Sequence, residues 1–267
     1  MRLRAGQVAL ITGGGTGIGR GVVLALARRG VDVALVGRRA AALQATAAEA
    51  MTCGVRALVL PADITDAAAR QTVMACSSDA LGPIDLLVNN AGVLAGGSLA
   101  DQTAASIETA VATNLAAAID LTRLALPQLA ATRGAVILVG STMSHVPMPY
   151  ATLYAATKAG LRAFGEALRY ELTPLGVQVL TACPPATRTA MLAGTGRLAA
   201  KFQADPLATG ERIVRALEQG HEEAVWGIGA QLLVRLHRLA PGCVQHILRR
   251  QGGHFARTWN TVAASQP

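Results

Sequence analysis

Short apolar runs alternate with longer segments of helical length along the chain, and this alternation limits the fold more than any other feature. The apolar runs lie at residues 8–12, 31–37, 55–63, 84–92, 135–141, 177–185 and 222–229. Continuous apolar strands separated by helices are typical of a parallel sheet that is covered on both faces. We therefore predict a doubly wound α/β fold with about seven parallel strands flanked by helices.

The chain of 267 residues is long enough for one large domain with a buried core. It contains no internal repeat, low-complexity linker or shift in composition, so we expect a single domain over residues 1–267. Hydrophobic residues make up 52% of the chain but aromatic residues only 3%, which means that small aliphatic side chains fill most of the core. Two of the longer helical segments are expected at about 101–131 and 150–173.

Charge and cysteine content exclude several classes of protein. The net charge is +8, yet the arginines are scattered, without a long basic block, which argues against nucleic-acid binding. The four cysteines form no CxxC pair, so we expect no metal site and no disulfide framework. No apolar stretch is long enough for a signal peptide or a membrane span. The expectation is a cytoplasmic protein.

The stretch LITGGGTGIGRG, at residues 10–21, follows the first predicted strand. In doubly wound folds, this strand-to-helix turn holds a dinucleotide pyrophosphate with backbone N–H groups and the positive end of the helix dipole. The common GxGxxG spacing does not occur, and Thr12-Gly13 is instead followed after three residues by Gly17-Ile18-Gly19. We interpret the stretch as a longer nucleotide-binding loop, with a glycine-rich turn of no further role as the alternative.

Further motifs give the chain a resemblance to the short-chain dehydrogenases/reductases, because they follow that family's order. They are Thr12–Gly19 as TGxxxGxG, Asp63 after the third strand, Asn89–Gly92 as NNAG, Asn114, Ser141, and Tyr154 with Lys158 as YxxxK. Ser141 precedes Tyr154 by thirteen residues, which is the family's usual interval. The resemblance covers nearly the whole chain. It implies a Rossmann-type fold and an NAD(P)-dependent oxidoreductase that acts on CH–OH or C=O groups.

The resemblance also implies a set of residues that contact the cofactor. They are Thr12, Gly13, Gly15, Thr16, Gly17, Ile18, Gly19, Arg38, Arg39, Asp63, Ile64, Asn90, Ala91, Gly92, Tyr154, Lys158, Pro184, Thr187 and Thr189. By this resemblance, Asp63 meets the adenine ring and Lys158 holds the nicotinamide ribose. Asn114 orders a water that relays protons to the lysine, whereas Asn89 and Asn90 hold the backbone and the cofactor in place.

Three residues predict proton transfer at the reacting carbon–oxygen bond. Tyrosine ionises near pH 10 when unperturbed, and Lys158 lies four residues after Tyr154, on the same helix face. We expect the lysine ammonium group to lower the tyrosine pKa toward the working range. The Ser141 hydroxyl, at the carboxyl end of the fifth strand, is expected to hydrogen-bond a substrate carbonyl oxygen.

Neighbouring polar residues offer alternatives to these assignments. Thr142 and Ser144 stand close to Ser141, but their spacing to the tyrosine differs from the family's. Tyr150 precedes the same helix and has no lysine four residues later, so we interpret it as a pocket or surface residue. His145 could line the pocket or be a loop histidine that is either hydrogen-bonded elsewhere or exposed.

The residues after the second strand predict the cofactor. An NAD enzyme usually has an acidic side chain there that binds the ribose hydroxyls. This chain has Gly37-Arg38-Arg39 and no carboxylate. A guanidinium group suits a 2′-phosphate, so we predict NADP(H), with Arg38 as the main contact and Arg39 as a second one. The alternative is that one arginine only faces solvent.

The chain departs from the family after the sixth strand. It has Pro184-Pro185 where relatives commonly have Pro-Gly, while Thr189 keeps the place of the threonine that contacts the nicotinamide carboxamide. Proline fixes φ, so Pro185 is expected to stiffen this turn. A substrate lid is expected at about 190–206, where leucine and phenylalanine predict an apolar pocket.

The segment at about 230–250 is basic and amphipathic. It is predicted to place Leu232, Leu233, Leu236 and Leu239 on one helix face, with Arg235 and Arg238 between them. We favour a helix that packs on its own domain or on a subunit partner, since Pro241-Gly242 interrupts the stripe. The alternative is peripheral contact with an anionic membrane surface.

The favoured function is an NADPH-dependent carbonyl reductase that transfers hydride to an apolar ketone or aldehyde. A 3-keto lipid, such as a ketosphinganine-like or 3-ketoacyl compound, is one candidate substrate. The alternatives are an NAD(P)-dependent alcohol or steroid-type dehydrogenase that works oxidatively, and a non-catalytic NADP-binding regulatory protein. The family resemblance implies a homodimer or homotetramer that pairs through the helices at 101–131 and 150–173.

Overall fold

The computed structural model describes residues 2–192, 203–253 and 255, which contain a seven-stranded sheet. The strands are β1 (Val8–Thr12), β2 (Asp32–Gly37), β3 (Ala57–Pro61), β4 (Leu86–Asn89), β5 (Ala135–Val139), β6 (Gln178–Cys183) and β7 (Glu223–Val225). Their order is β3-β2-β1-β4-β5-β6-β7, and every neighbouring pair is parallel. The predicted doubly wound, Rossmann-type α/β fold is therefore confirmed.

Helices cover both faces of this sheet. They are α1 (Gly17–Ala27), α2 (Ala40–Met51), α3 (Ala67–Leu81), α4 (Ala104–Val111), α5 (Ala117–Thr132), α6 (Thr152–Leu172), α7 (Pro206–Glu218), α8 (Ile228–Leu239) and α9 (Pro241–Arg250). Within the described residues, none of the helices has the length and hydropathy that crossing a bilayer requires.

The core consists of two apolar layers, one on each face of the sheet. One layer packs α1, α2 and α7 against strand residues such as Leu35 and Ile137. The other packs α3, α5 and α6 against residues such as Leu87 and Leu138. Buried alanine, valine and leucine fill both layers, as the low aromatic content predicts.

The predicted helix at 101–131 is interrupted. A 3₁₀ turn at Leu99–Asp101 comes first, and a π-helical turn at Ala112–Ala116 separates α4 from α5. A π turn inserts one extra residue per turn and is frequent at functional sites. Continuous helical periodicity does not reveal such an insertion, because the residues on either side remain helical.

The predictions for the lid at 190–206 and for the segment at 230–250 agree with the structure only in part. Residues 193–202 of the predicted lid lie outside the described residues, and the described flanks form a 3₁₀ turn at Ala190–Leu192 and a β-bridge between Thr187 and Ala204. The segment at 230–250 forms two helices, α8 and α9, with the second beginning at Pro241. Proline is well tolerated there because its missing N–H would be unsatisfied in the first helical turn anyway.

Candidate active site

A cleft of about 630 Å³ opens at the carboxyl ends of the parallel strands. It lies where the strand order reverses, between β1 and β4, which is where ligands bind in open α/β sheets. The sequence-predicted site residues line this cleft with the exception of Thr12, Gly19 and Asn114. The fold therefore brings the proposed cofactor and catalytic residues to one place.

The glycines of the loop after β1 are explained by backbone conformation and close packing. Gly13 has a φ of +67°, and Gly17 has a φ of +57°, which side-chain-bearing residues rarely adopt. A Cβ at Gly19 would lie 2.1 Å from the Gly13 carbonyl oxygen. Only glycine therefore allows the loop to lie this close to the start of α1.

This loop fits a nucleotide diphosphate. In the described structure, no side chain caps the amino end of α1 and its first turn contains no acidic residue. Gly13, Gly15 and Gly17 border the cleft without a Cβ that would fill it. Backbone N–H groups and the positive end of the helix dipole are thus directed at the space where a phosphate would lie.

Thr12 has a different position from the one predicted for it. Its buried hydroxyl donates to the carbonyl of Val88 and accepts from the N–H groups of Asn90 and Ala91, at 3.2, 2.9 and 3.0 Å. The Asn90 side chain in turn donates to the Thr12 carbonyl at 2.9 Å. Thr12 therefore joins β1 to the end of β4 and shapes the cleft without lining it.

Two arginines that follow β2 and an aspartate that follows β3 border the cleft next to the glycine loop. Arg39 donates to the Thr16 hydroxyl at 3.1 Å, and both Arg38 and Arg39 are exposed at the cleft. Asp63 accepts hydrogen bonds from the backbone N–H and the hydroxyl of Thr65, which lower its pKa, and the nearby Arg38 lowers it further. Two cations and an ionised carboxylate therefore border this end of the cleft.

Helix α6 positions the predicted catalytic pair, and β5 positions their partners. The Lys158 ammonium group donates to the Val139 carbonyl at 2.8 Å and lies 5.8 Å from the centre of the Tyr154 ring. The Ser141 hydroxyl, just beyond β5, accepts from the Met143 N–H at 3.2 Å and hydrogen-bonds Tyr154. Serine, tyrosine and lysine thus meet at the wall of the cleft.

The pKa of Tyr154 differs from the sequence-based expectation. Burial raises it to about 12, and the hydrogen bond with Ser141 opposes that change. Burial lowers the pKa of Lys158 to about 8. The expected lowering of the tyrosine pKa by the lysine is not seen, because loss of hydration disfavours both charged forms. Tyr154 is therefore protonated at neutral pH and can donate a proton.

Asn114 lies in the π-helical turn between α4 and α5, where it is buried. Its carbonyl accepts from the Val93 N–H at 2.7 Å, and its amide donates to the Val93 carbonyl at 2.9 Å and to the Thr157 hydroxyl at 3.1 Å. These bonds tie the loop after β4 to α6. The side chain thus positions the cleft wall beside Thr157, the residue that precedes Lys158 in α6.

The alternatives around Ser141 occupy distinct positions. Thr142 lines the cleft, whereas the Ser144 hydroxyl lies 3.5 Å from the buried sulfur of Cys183. His145 does not line the cleft, and its Nε2 lies 3.0 Å from a carboxylate oxygen of Glu223. Of the two interpretations for His145, the loop histidine with another partner is the one observed.

The apolar wall of the cleft was singled out only in part, through the predicted lid at 190–206 to which Met191 and Leu192 belong. It consists of Leu94, Met143, Met148, Met191 and Leu192, which pack near the rings of Tyr150 and Tyr154. Met143 and Met148 follow Ser141 closely in the chain, so their proximity to the catalytic serine could have indicated them. Leu94 follows the NNAG motif in the same way.

The amino-acid sequence is similar to those of known dehydrogenases and reductases. The short chain dehydrogenase family pattern matches residues 7–197. The ketoacyl reductase HetN of Nostoc sp. is 29% identical over 259 residues, covering 93% of this chain and 90% of that protein. Serine 3-dehydrogenase of Agrobacterium fabrum is 36% identical over 176 residues, covering 66% of this chain and 70% of that protein.

A solved structure agrees with the fold described above. A short chain dehydrogenase from Burkholderia cenocepacia in complex with NADP superposes with a TM-score of 0.79 at 30% identity, covering 85% of this chain and 98% of that one. The family match agrees with three features of the structure. They are the sheet order, the glycine loop, and the serine, tyrosine and lysine at the cleft wall. This chain belongs to the short-chain dehydrogenase/reductase family of NAD(P)-dependent oxidoreductases that act on CH–OH or C=O groups.

Proposed function

We propose that the protein is an NADPH-dependent carbonyl reductase that acts on an apolar ketone or aldehyde. The observation that carries this proposal is the meeting of the Tyr154 and Ser141 hydroxyls and the Lys158 ammonium group at the wall of an apolar cleft. Tyr154, whose pKa burial raises to about 12, holds at neutral pH a proton that it can donate to a carbonyl oxygen.

Each residue of the site has a distinct role in the proposed reduction. NADPH, when bound, supplies the hydride that adds to the carbonyl carbon. Tyr154 donates its proton to the carbonyl oxygen, and the Ser141 hydroxyl stabilises the negative charge that develops there. Lys158, held by the Val139 carbonyl, places a positive charge near the phenolate that remains.

The preference for NADPH is supported by the charges after β2. Arg38 and Arg39 line the cleft, and the hydrogen bond from Arg39 to Thr16 holds its guanidinium group beside the glycine loop. Guanidinium groups bind phosphates through charge and a forked arrangement of donors. The Burkholderia cenocepacia relative that binds NADP supports the same assignment.

The nature of the substrate is inferred from the cleft wall. Methionine and leucine side chains surround the space next to Tyr154, so the part of the substrate beyond its carbonyl group is apolar. The ketoacyl reductase name of the Nostoc relative favours a 3-keto lipid within that class. The serine 3-dehydrogenase name of another relative favours oxidation of an alcohol as the second candidate.

A panel assay tests the proposed function. The purified protein is incubated with NADPH or NADH and with small diketones, medium-chain aldehydes, 3-ketoacyl esters, steroids and long-chain ketosphingoid bases, while absorbance at the NADPH band is followed. We expect turnover with NADPH on an apolar class and much slower turnover with NADH. Turnover only with alcohols and an oxidised cofactor would support the second candidate and overturn the first.

We also propose that the protein pairs with itself through α4, α5 and α6. Ile107 and Val111 on α4, Ile119 on α5 and Tyr170 on α6 are exposed apolar or aromatic residues, which supports a contact between copies. The light-scattering mass of the purified protein should be that of a dimer or tetramer. A monomer mass at working concentration would contradict this assignment.

A further inference from the structure

Helix α8 turns an apolar stripe toward solvent instead of toward its own domain. Ile228, Leu232 and Leu239 are 88%, 65% and 86% exposed, and Leu236 is exposed as well. At about 100° per residue these four side chains fall within an arc of about 80°. Val234, on the opposite face, is the residue that is buried. The sequence predicts that the leucine stripe packs on its own domain or on a subunit partner; Leu233 packs on the domain, whereas Leu232, Leu236 and Leu239 do not.

A cleft of about 460 Å³ lies between α7 and α8, on the face of α8 next to the stripe, and it is lined by residues of α8 other than those of the stripe. Arg212 and Arg215 line it from α7, and Arg235 and Arg238 line it from α8. Arg215 pairs with Glu211, and Arg238 lies 3.6 Å from Glu223. For Arg212 and Arg235 the described part of the chain offers no acidic partner within ion-pair distance. Four arginines in one cleft favour anionic groups.

The sequence from α8 onward carries positively charged side chains and no acidic ones. Glu223 is the last acidic residue of the chain, and the 44 residues that follow it contain five arginines. Arg249 and Arg250 end α9, next to the exposed Ile247. An apolar stripe flanked by cations without interspersed acids is typical of helices that lie in the headgroup region of an anionic membrane.

We propose that α8, α9 and the arginine cleft form a docking surface for an anionic phospholipid membrane. The stripe of Ile228, Leu232, Leu236 and Leu239 would enter the acyl boundary, and the arginines beside it would bind lipid phosphates. A second copy of the chain fits less well. A two-fold symmetric contact places the same patch on both sides, and α8 and α9 contain no acidic residue that could pair with the arginines across it.

The docking surface adjoins the active-site cleft. Val146, Val234 and Val244 pack together and join α8 and α9 to the loop that follows Ser141. Met148 of that loop contacts this cluster and also lines the active-site cleft. A membrane-bound protein would thus hold its cleft near the lipid, although the docking proposal does not depend on which carbonyl compound is reduced.

Co-sedimentation with lipid vesicles tests the proposal with the full chain. Vesicles of phosphatidylglycerol mixed with phosphatidylcholine are compared with vesicles of phosphatidylcholine alone. We expect binding to the anionic vesicles that weakens as salt is raised, and little binding to the neutral ones. The double variant Arg212→Gln/Arg235→Gln should lower the partition coefficient about 30-fold, because each arginine near an anionic surface contributes about 1 kcal/mol.

Matched variants distinguish binding through this surface from nonspecific binding to vesicles. Leu232→Ser/Leu239→Ser should lower binding at least about tenfold, since two exposed leucines no longer enter the lipid. Leu99→Ser/Leu175→Ser removes two other exposed leucines, and Arg2→Gln/Arg4→Gln removes two other arginines; both should bind like the wild type.

Three outcomes would overturn the proposal. They are no binding of the wild type to anionic vesicles, equal binding to neutral vesicles, and equal loss in the matched controls. Circular dichroism melting curves confirm that each variant is folded, and the arginine pair remains decisive if the leucine pair does not fold. Because vesicle binding is measured without any substrate, a failure of this proposal is distinguishable from a failure of the proposed reaction.

Discussion

At the scale of single residues, the environment of Lys158 determines how the site responds to pH. Burial lowers its pKa to about 8, so its ammonium group is lost as the pH rises through that value. Tyr154, with its pKa raised to about 12, keeps its proton over the same range. The lysine charge stabilises the phenolate that proton donation produces. In the proposed reduction, the lysine is therefore expected to titrate before the tyrosine.

We expect kcat/KM for carbonyl reduction to be level at neutral pH and to fall above about pH 8, as Lys158 loses its proton. The profile is measured with NADPH and a water-soluble ketone, with circular dichroism at each pH as the control for folding. A rate that stays constant up to the ordinary pKa of lysine would contradict this account of Lys158.

We propose that the preference for NADPH depends on Arg38. We expect Arg38→Asp to lower kcat/KM for NADPH about 10- to 100-fold, since a charged hydrogen bond to the phosphate is replaced by repulsion. The value for NADH should be unchanged or higher, and Arg4→Asp, at an exposed position away from the cleft, serves as the control. An unchanged ratio of the two values would remove Arg38 from the cofactor site.

At the scale of elements, the contact between the glycine loop and β4 is the tightest part of the site. A Cβ at Gly19 would lie 2.1 Å from the Gly13 carbonyl oxygen and 2.5 Å from the Asn90 side-chain nitrogen. We expect Gly19→Ala to lower the free energy of unfolding by about 1–3 kcal/mol and to weaken NADPH binding. Chemical denaturation and fluorescence titration measure the two effects.

The matched control is Gly229→Ala in α8, where no heavy atom lies within 4 Å of the added Cβ. Alanine is a better helix former than glycine, so this variant should be as stable as the wild type or slightly more stable. Equal destabilisation by the two substitutions would show that the loss at Gly19 does not arise from the close contact.

The elements themselves were predictable to different degrees. The inner strands β1, β2, β4, β5 and β6 follow from apolar runs, because a strand buried on both faces needs apolar residues at nearly every position, whereas the edge strands β3 and β7 are only partly buried. The π-helical turn around Asn114 was not predictable, since it depends on the contacts of that side chain with Val93 and Thr157. The direction of the α8 stripe was also not predictable, because periodicity defines a face but not what that face contacts.

At the scale of the whole molecule, the sheet topology explains why the site could be anticipated. Parallel strands joined by helices bring their carboxyl ends to one edge, so motifs that follow β1, β2, β4, β5 and β6 meet in one cleft. The electrostatics of Tyr154 and Lys158 could not be anticipated in the same way. Their pKa values depend on how much water the folded chain removes from each side chain, which spacing along α6 does not report.

The most direct test of the central claim compares Tyr154→Phe with Tyr150→Phe. Both variants remove one hydroxyl near the same apolar wall, but only Tyr154 lines the cleft beside Ser141. With NADPH and a ketone that the wild type reduces, Tyr154→Phe should lose about 10²- to 10⁴-fold in kcat. NADPH affinity and melting temperature should be preserved, and Tyr150→Phe should remain active. Turnover by Tyr154→Phe at the wild-type rate would contradict the claim that this hydroxyl donates the proton.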